Sequence, residues 1–146
     1  MSTQLMNTED EYRLLCGLSG YLAAVSAAAG VGPESCTLDF DSPISAYIAL
    51  DGHIAAHPGR DTALVWDEHH GWSFMIETHS GEDLLVVAYL GDELAPPPGR
   101  LREFLRNVRA RTRRVALSLP PDFGGDRATL ADRLHGYWTA QPLPGR

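Results

Sequence analysis

Residues Thr62 to Leu90 read TALVWDEHHGWSFMIETHSGEDLLVVAYL, and the fold turns on how this stretch is parsed. Trp66-Asp67-Glu68 and Trp72-Ser73-Phe74 flank His69-His70-Gly71, with apolar and polar residues alternating on both sides. A three-residue hairpin loop commonly ends in a residue with positive φ, which glycine adopts without strain, so Gly71 predicts the end of the turn. Glu68 then faces Trp72, Trp66 faces Phe74 and Leu64 faces Ile76. Leu64, Trp66, Trp72, Phe74 and Ile76 share one face, and Val65, Asp67, Ser73, Met75 and Glu77 share the other. Loops of two or four residues would mix the faces. A second, two-residue turn at Ser80-Gly81 sets Ile76 against Leu85, Phe74 against Val87 and Trp72 against Tyr89. The strand Leu84 to Leu90 is apolar on both faces, which predicts a central position or a helix on each side.

The elements on either side suit a cover for that sheet. Thr8-Glu9-Asp10-Glu11 has the spacing of a capping box. Apolar residues then recur at Leu14, Leu18, Tyr21, Leu22, Val25 and Ala29, a helical period that Gly30 and Gly32 stop. Cys16, Gly20, Ala24 and Ala27 form a small-residue stripe, read as packing on the sheet rather than as a self-association seam. Pro33 to Pro43 reads as a connector, Ser45 to Leu50 as the first strand, and Asp51 to Asp61 as a loop. Pro98 opens a helix to about Thr112, with Leu101, Phe104, Leu105 and Val108 on one face. Val115 to Leu119 either prolongs that helix or forms a fifth strand. Asp126 caps a last helix that carries Leu130, Leu134 and Trp138.

Composition sets the outer bounds. The chain has 146 residues, 44% of them hydrophobic, which suits a single domain, placed at 8 to 138 between flexible tails. Its net charge of −7 argues against wholesale binding to nucleic acid or anionic membranes. Two cysteines make no disulfide framework, and a reduced cytoplasm is the expected home. No leader pattern is evident, and no apolar run approaches the length of a membrane span.

Charge is unevenly spread. Residues 100 to 114 hold seven arginines against one acid, whereas the remainder holds five arginines against 18 acids. Arg102, Arg106, Arg109 and Arg113 fall on one stripe of the helix, beside its apolar face. Such a stripe suits a polyanion: an acidic protein surface, a phosphorylated ligand or a nucleic-acid backbone. The chain's own surplus of acids, among them Asp92, Glu93 and Asp126, makes self-pairing or an acidic partner the favoured reading over nucleic acid.

Other chemistry is thinner. His53 and His57 stand four apart but lack a helix, His69 and His70 diverge at a hairpin tip, and Glu77 with His79 offers only two ligands. A metal site needs three or four convergent ligands, so no metal or other cofactor is expected. No Ser or Cys lies in a nucleophile context, and Asp67 and Glu68 point to opposite faces, so no catalytic residue is assigned. Trp66 and Trp72 with Phe74 and Tyr89 form an aromatic face: core if helices cover it, a docking or dimer surface if they leave it open.

The run W-D-E-H-H-G-W at Trp66 to Trp72, followed by E-T-H-S-G-E-D-L from Glu77, resembles a family of small actinobacterial proteins of unknown function. The resemblance extends from about Leu18 to Leu105 and implies no activity, cofactor or catalytic residue. By element order the chain is also similar to secretion-chaperone-like and related adaptor folds, an analogy of fold alone.

The expectation is an α+β two-layer sandwich: four antiparallel strands, with Val115 to Leu119 as the candidate fifth, under an N-terminal helix and an Arg-rich helix. The expected function is a non-enzymatic cytoplasmic interaction or adaptor module, with a protein partner and a homodimer in view. Candidate partner-binding residues are Arg102, Arg106, Arg109, Arg113, Trp66, Trp72, His69 and His70. The alternatives are a nucleic-acid-associated protein using the Arg stripe and an enzyme with a His/carboxylate site near the hairpin.

Overall fold

A computed structural model describes residues 7–78, 83–91, 93–110 and 119–138. Helix α1 (Thr8–Ala28) is capped one residue earlier than the capping-box spacing predicts: the Asn7 side chain accepts from the Asp10 amide at 2.8 Å. The Glu11 amide donates to the Asn7 carbonyl at 3.0 Å, so it is not free to meet the Thr8 hydroxyl. Asn caps as well as Thr does, and the earlier start gains one helical residue. At the other end Gly30 takes φ +85°, and the Val31 and Gly30 amides close onto the Ser26 and Ala27 carbonyls, a glycine-dependent helix stop.

Five antiparallel strands follow, in spatial order β1-β2-β3-β4-β5: β1 (Cys36–Asp39), β2 (Ser45–Leu50), β3 (Thr62–Asp67), β4 (Gly71–Glu77) and β5 (Leu84–Tyr89). The fifth strand comes from the segment read as a connector. A short 3-10 turn at Pro33–Ser35 leads into β1, which pairs Cys36 with Ile48 and Leu38 with Ala46. Cys36 and Leu38 are buried while Thr37 and Asp39 are half-buried, an alternation too short to stand out between prolines. The other candidate falls mostly on residues 115–118, outside the described residues; Leu119 itself is exposed.

The β3–β4 hairpin keeps its faces but not its predicted register. Asp67 stands opposite Gly71, Trp66 opposite Trp72, Leu64 opposite Phe74 and Thr62 opposite Ile76. One Asp67 carboxylate oxygen accepts from both the His69 and His70 amides at 2.8 Å, which turns the chain early. Glu68 thereby leaves the ladder, its amide bonding the Ile44 carbonyl at 3.0 Å. The shift is two residues, so no side chain changes face. Gly71 has φ +71°, as its place in the turn requires.

On the far side of β4, Ile76 pairs with Leu85 as expected. An irregularity follows Met75↔Val86, after which Phe74 meets Ala88 and Ser73 meets Tyr89. The extra residue displaces the predicted Phe74–Val87 and Trp72–Tyr89 pairs and removes Tyr89 from the aromatic face. Nor is β5 central: it is an edge strand, with Leu84 and Leu85 37% and 52% exposed. The turn at residues 79–82 lies outside the described residues.

Helices α1, α2 (Pro98–Ala110) and α3 (Arg127–Leu134) contribute to one core with the face that carries Leu64, Trp66, Trp72, Phe74 and Ile76. Burial of side chains this large stabilises by roughly 1.5–3 kcal/mol each. Their polar atoms are satisfied in place. Trp72 Nε1 donates to the Tyr21 hydroxyl at 3.0 Å, the Tyr21 hydroxyl donates to the Pro96 carbonyl at 2.6 Å, and Trp66 Nε1 donates to the Leu94 carbonyl at 2.8 Å. Helix α1 packs against both α2 and α3. The opposite face of the sheet, with Tyr47, Val65, Met75, Val86 and Tyr89, stays outside this core and half-buried. No helix among the described residues is long and apolar enough to cross a membrane.

Candidate functional site

Helix α2 follows its sequence pattern closely. Leu101, Phe104, Leu105 and Val108 are buried, so geometry leaves Arg102, Arg106 and Arg109 exposed. Three arginines over seven residues span about 10 Å of helix. With Ala28 and Ala29 at the end of α1, and with Leu105 and Ala110, they line an open groove of about 460 Å³. The lining thus combines three cations with four apolar side chains. Arg113 lies outside the described residues.

Of the two favoured readings, self-pairing or an acidic partner, these three arginines do not show the first among the described residues. Arg102 Nε donates to the Ala28 carbonyl at 3.4 Å, and Arg109 Nη2 donates to the Asp51 carbonyl at 3.3 Å. Both acceptors are main-chain oxygens. The last turn of α1 carries no basic residue of its own, so Arg102 supplies the positive charge that its unpaired carbonyls favour. Among the described residues none of the three pairs with a carboxylate, and Arg106 has no polar partner. The expected acids are engaged elsewhere: Glu93 with Arg133, and Asp126 with the Ala128 and Thr129 amides at the start of α3. Asp92 is outside the described residues. Arg100 pairs with Glu103, one turn along the same helix at 3.0 Å.

The aromatic candidates resolve as core. Trp66 and Trp72 have no exposed surface, because α1 and the Leu94–Pro96 segment close over them. They therefore cannot touch a partner in this fold. The histidine tip is a seat for a later loop: the His69 carbonyl accepts from the Phe123 amide at 2.8 Å, and a Cβ on Gly125 would come within 2.9 Å of the His69 ring. Gly125, at φ +79°, lets the chain pass that close. His70 Nδ1 lies 3.1 Å from Asp67 Oδ2, a contact that closes the turn. His53 Nδ1 sits 2.7 Å from the Arg60 carbonyl. Among the described residues no three His, Cys, Asp or Glu side chains converge on a metal position; His79 lies outside them.

One charged cluster was invisible to spacing arguments. Glu68, 2% exposed, accepts from Arg127 Nε at 2.9 Å, from Arg127 Nη2 at 2.7 Å and from the Ile44 amide at 2.6 Å. Burial by itself would raise the Glu68 carboxyl. The two-pronged Arg127 contact and the Ile44 amide outweigh it and hold the group below the ordinary carboxylate range. Arg127 is raised in turn, chiefly by its hydrogen bonds to Glu68. Cys16 and Cys36 are free and buried, and burial pushes the Cys36 thiol up to about 11, away from nucleophilic reactivity.

A family model described as a family of unknown function (DUF6292) matches residues 21–107. The match spans the last eight residues of α1, the whole sheet and α2 through Arg102 and Arg106, and it stops short of Arg109 and α3. No curated protein and no solved structure matches the chain.

Proposed function

We propose that this chain, which belongs to DUF6292, is an interaction module that seats an acidic segment of a partner protein in the arginine groove between α1 and α2. The observation that carries the reading is the exposed row of Arg102, Arg106 and Arg109, without a carboxylate partner among the described residues in a chain of net charge −7. A self-neutralising surface would have drawn in its own acids. The apolar lining at Ala28, Ala29, Leu105 and Ala110 favours carboxylates carried on an amphipathic peptide over a bare polyanion. The rest of the chain holds five arginines against 18 acids, a balance that disfavours an extended nucleic acid. Exposed guanidinium–carboxylate pairs contribute about 0.2–1 kcal/mol each, so binding is expected to be modest and salt-sensitive.

The test compares the wild-type chain with Arg106→Glu, a reversal at the one arginine of the three that holds no main-chain carbonyl. An acidic amphipathic peptide and a single-stranded oligonucleotide serve as probes at low and high salt. Peptide binding that weakens with salt and drops several-fold in R106E supports the reading. Oligonucleotide binding in place of peptide binding, lost in the same variant, moves the assignment to nucleic acid. Binding of neither probe, in a chain shown to be folded, removes the groove from consideration.

A further inference from the structure

The two edges of the sheet are built differently. Edge strand β1 has four residues, ends in Asp39 and runs into Asp41, whose amide bonds the Asp39 carboxylate at 3.1 Å. That is a short, charge-terminated edge of the kind that resists pairing. Edge strand β5 has six residues, LLVVAY, none of them charged. Its outer backbone groups have no partner among the described residues, and Leu84 and Leu85 are two of the large hydrophobic side chains left exposed. Leu85 lies opposite Ile76, on the side the helices cover, yet is half exposed. Among the described residues the helical layer therefore stops short of this edge.

We propose that the chain self-associates through β5, two copies pairing antiparallel about a two-fold axis at Leu85, so that the two five-stranded sheets run on as one. The occupant follows from the strand itself. The irregularity after Val86 confines the regular stretch to Leu84, Leu85 and Val86. Opposed residues on antiparallel strands must share a face, so a two-fold pairing of this stretch sets Leu85 against the partner copy's Leu85 and Leu84 against its Val86. All three pairs are apolar and uncharged. In a chain of net charge −7, most surfaces repel their own copy, whereas this one carries no charge to repel. The flanking acid Asp83 falls about 13 Å from its counterpart along the sheet, beyond a Debye length of about 8 Å. The proposal does not rest on the arginine groove, which lies between α1 and α2.

The test is a cysteine placed on the axis. Opposed Cβ atoms on paired strands approach within reach of a disulfide, and both native cysteines are buried, so Leu85→Cys is expected to form an interchain disulfide under mild oxidation. Asp41→Cys, on the other edge, is the control. Leu85→Lys is expected to shift the wild-type dimer to monomer by sedimentation equilibrium, with an unchanged far-UV circular dichroism spectrum because the side chain is half exposed. Arg106→Glu should leave the dimer intact while losing any acidic ligand. A wild-type chain that stays monomeric at the highest concentration attained overturns the proposal. So does an L85C chain that cross-links no faster than the control, or an L85K chain that stays dimeric. Should L85K unfold, the comparison between L85C and D41C decides.

Discussion

Glu68 and Arg127 lie 59 residues apart in sequence and form a two-pronged ion pair that joins the β3–β4 turn to the first residue of α3. The same carboxylate takes the Ile44 amide, so one buried group ties together three segments. Truncating either partner leaves the other charge in a poor environment. Glu68→Ala or Arg127→Ala is expected to cost about 2–4 kcal/mol, somewhat below a fully buried pair because Arg127 keeps some solvent contact. The double replacement Glu68→Ala with Arg127→Ala should cost less than the sum of the two single changes, because it leaves neither charge stranded. Urea unfolding of the three variants measures that coupling.

The same carboxylate sets an acid limit on stability. Its folded pKa lies below the unfolded value of about 4.3, so its contribution is fully present above that pH and is lost as pH falls through the folded value. Asp126, lowered chiefly by its hydrogen bond from the Thr129 hydroxyl, acts in the same direction. Urea midpoints are expected to hold from pH 7 to about 5 and to fall steeply below about pH 4. Glu68→Gln should start from a lower midpoint and show a shallower acid slope. An unchanged slope would falsify the assignment of the acid limit to Glu68.

Tyr21 works at the opposite end of the pH range. Burial raises its hydroxyl well above the ordinary phenol range, against the opposing hydrogen bond from Trp72. A raised folded pKa means that the contribution is fully present below about pH 10, the unfolded value, and is lost as pH rises through the folded one. Cys36, raised to about 11 by burial, shares that sign. Tyr21→Phe strands the Trp72 indole N–H and removes a donor from the Pro96 carbonyl, at a cost of about 1–3 kcal/mol at neutral pH. It should also weaken the alkaline fall in stability. Thermal melts at pH 7, 9 and 11 check both effects.

How far the sequence could be read depends on the range of the interactions involved. Side-chain alternation assigned Leu64 to Asp67 and Trp72 to Glu77 to their faces, and helical spacing found Leu101, Phe104, Leu105 and Val108, because those signals are local and periodic. The hairpin register differs by two residues because the Asp67 side chain caps the turn and frees Glu68 for Ile44 and Arg127, partners that strand alternation does not announce. Strand β1 was missed because four residues between prolines carry too little alternation to outweigh the turn signals around them. The arginine stripe was legible as a stripe, being periodic. That Arg102, Arg106 and Arg109 meet no carboxylate among the described residues was not, because that depends on where Glu93 and Asp126 fold. Trp66 and Trp72 looked like either core or surface until the helices covering them were in place.

At Gly17 helix α1 lies close against the end of α3, and the small-residue stripe read from the sequence, Cys16 with Gly20, Ala24 and Ala27, passes just beside it. A Cβ built on Gly17 would lie 2.9 Å from the Leu134 carbonyl oxygen and 3.2 Å from the Leu134 Cβ. The first neighbour is backbone, at the point where α3 gives way to the 3-10 turn at His135–Tyr137, so it cannot swing aside as a side-chain tip would. Two effects oppose each other in Gly17→Ala. Helix propensity favours alanine by about 0.8–1 kcal/mol, and overpacking against fixed backbone costs typically 1–3 kcal/mol. Overpacking is the larger, so G17A is expected to destabilise by about 1 kcal/mol net, and Gly17→Val by more, since β-branching adds bulk without the helical gain. The displacement should be felt first at α3, where Arg127 is the tether to Glu68. Hydrogen exchange in G17A is therefore expected to speed up at residues 127–134 before it does in β3 and β4. Uniform acceleration across the sheet would instead mean that α3 and the core unfold as one unit.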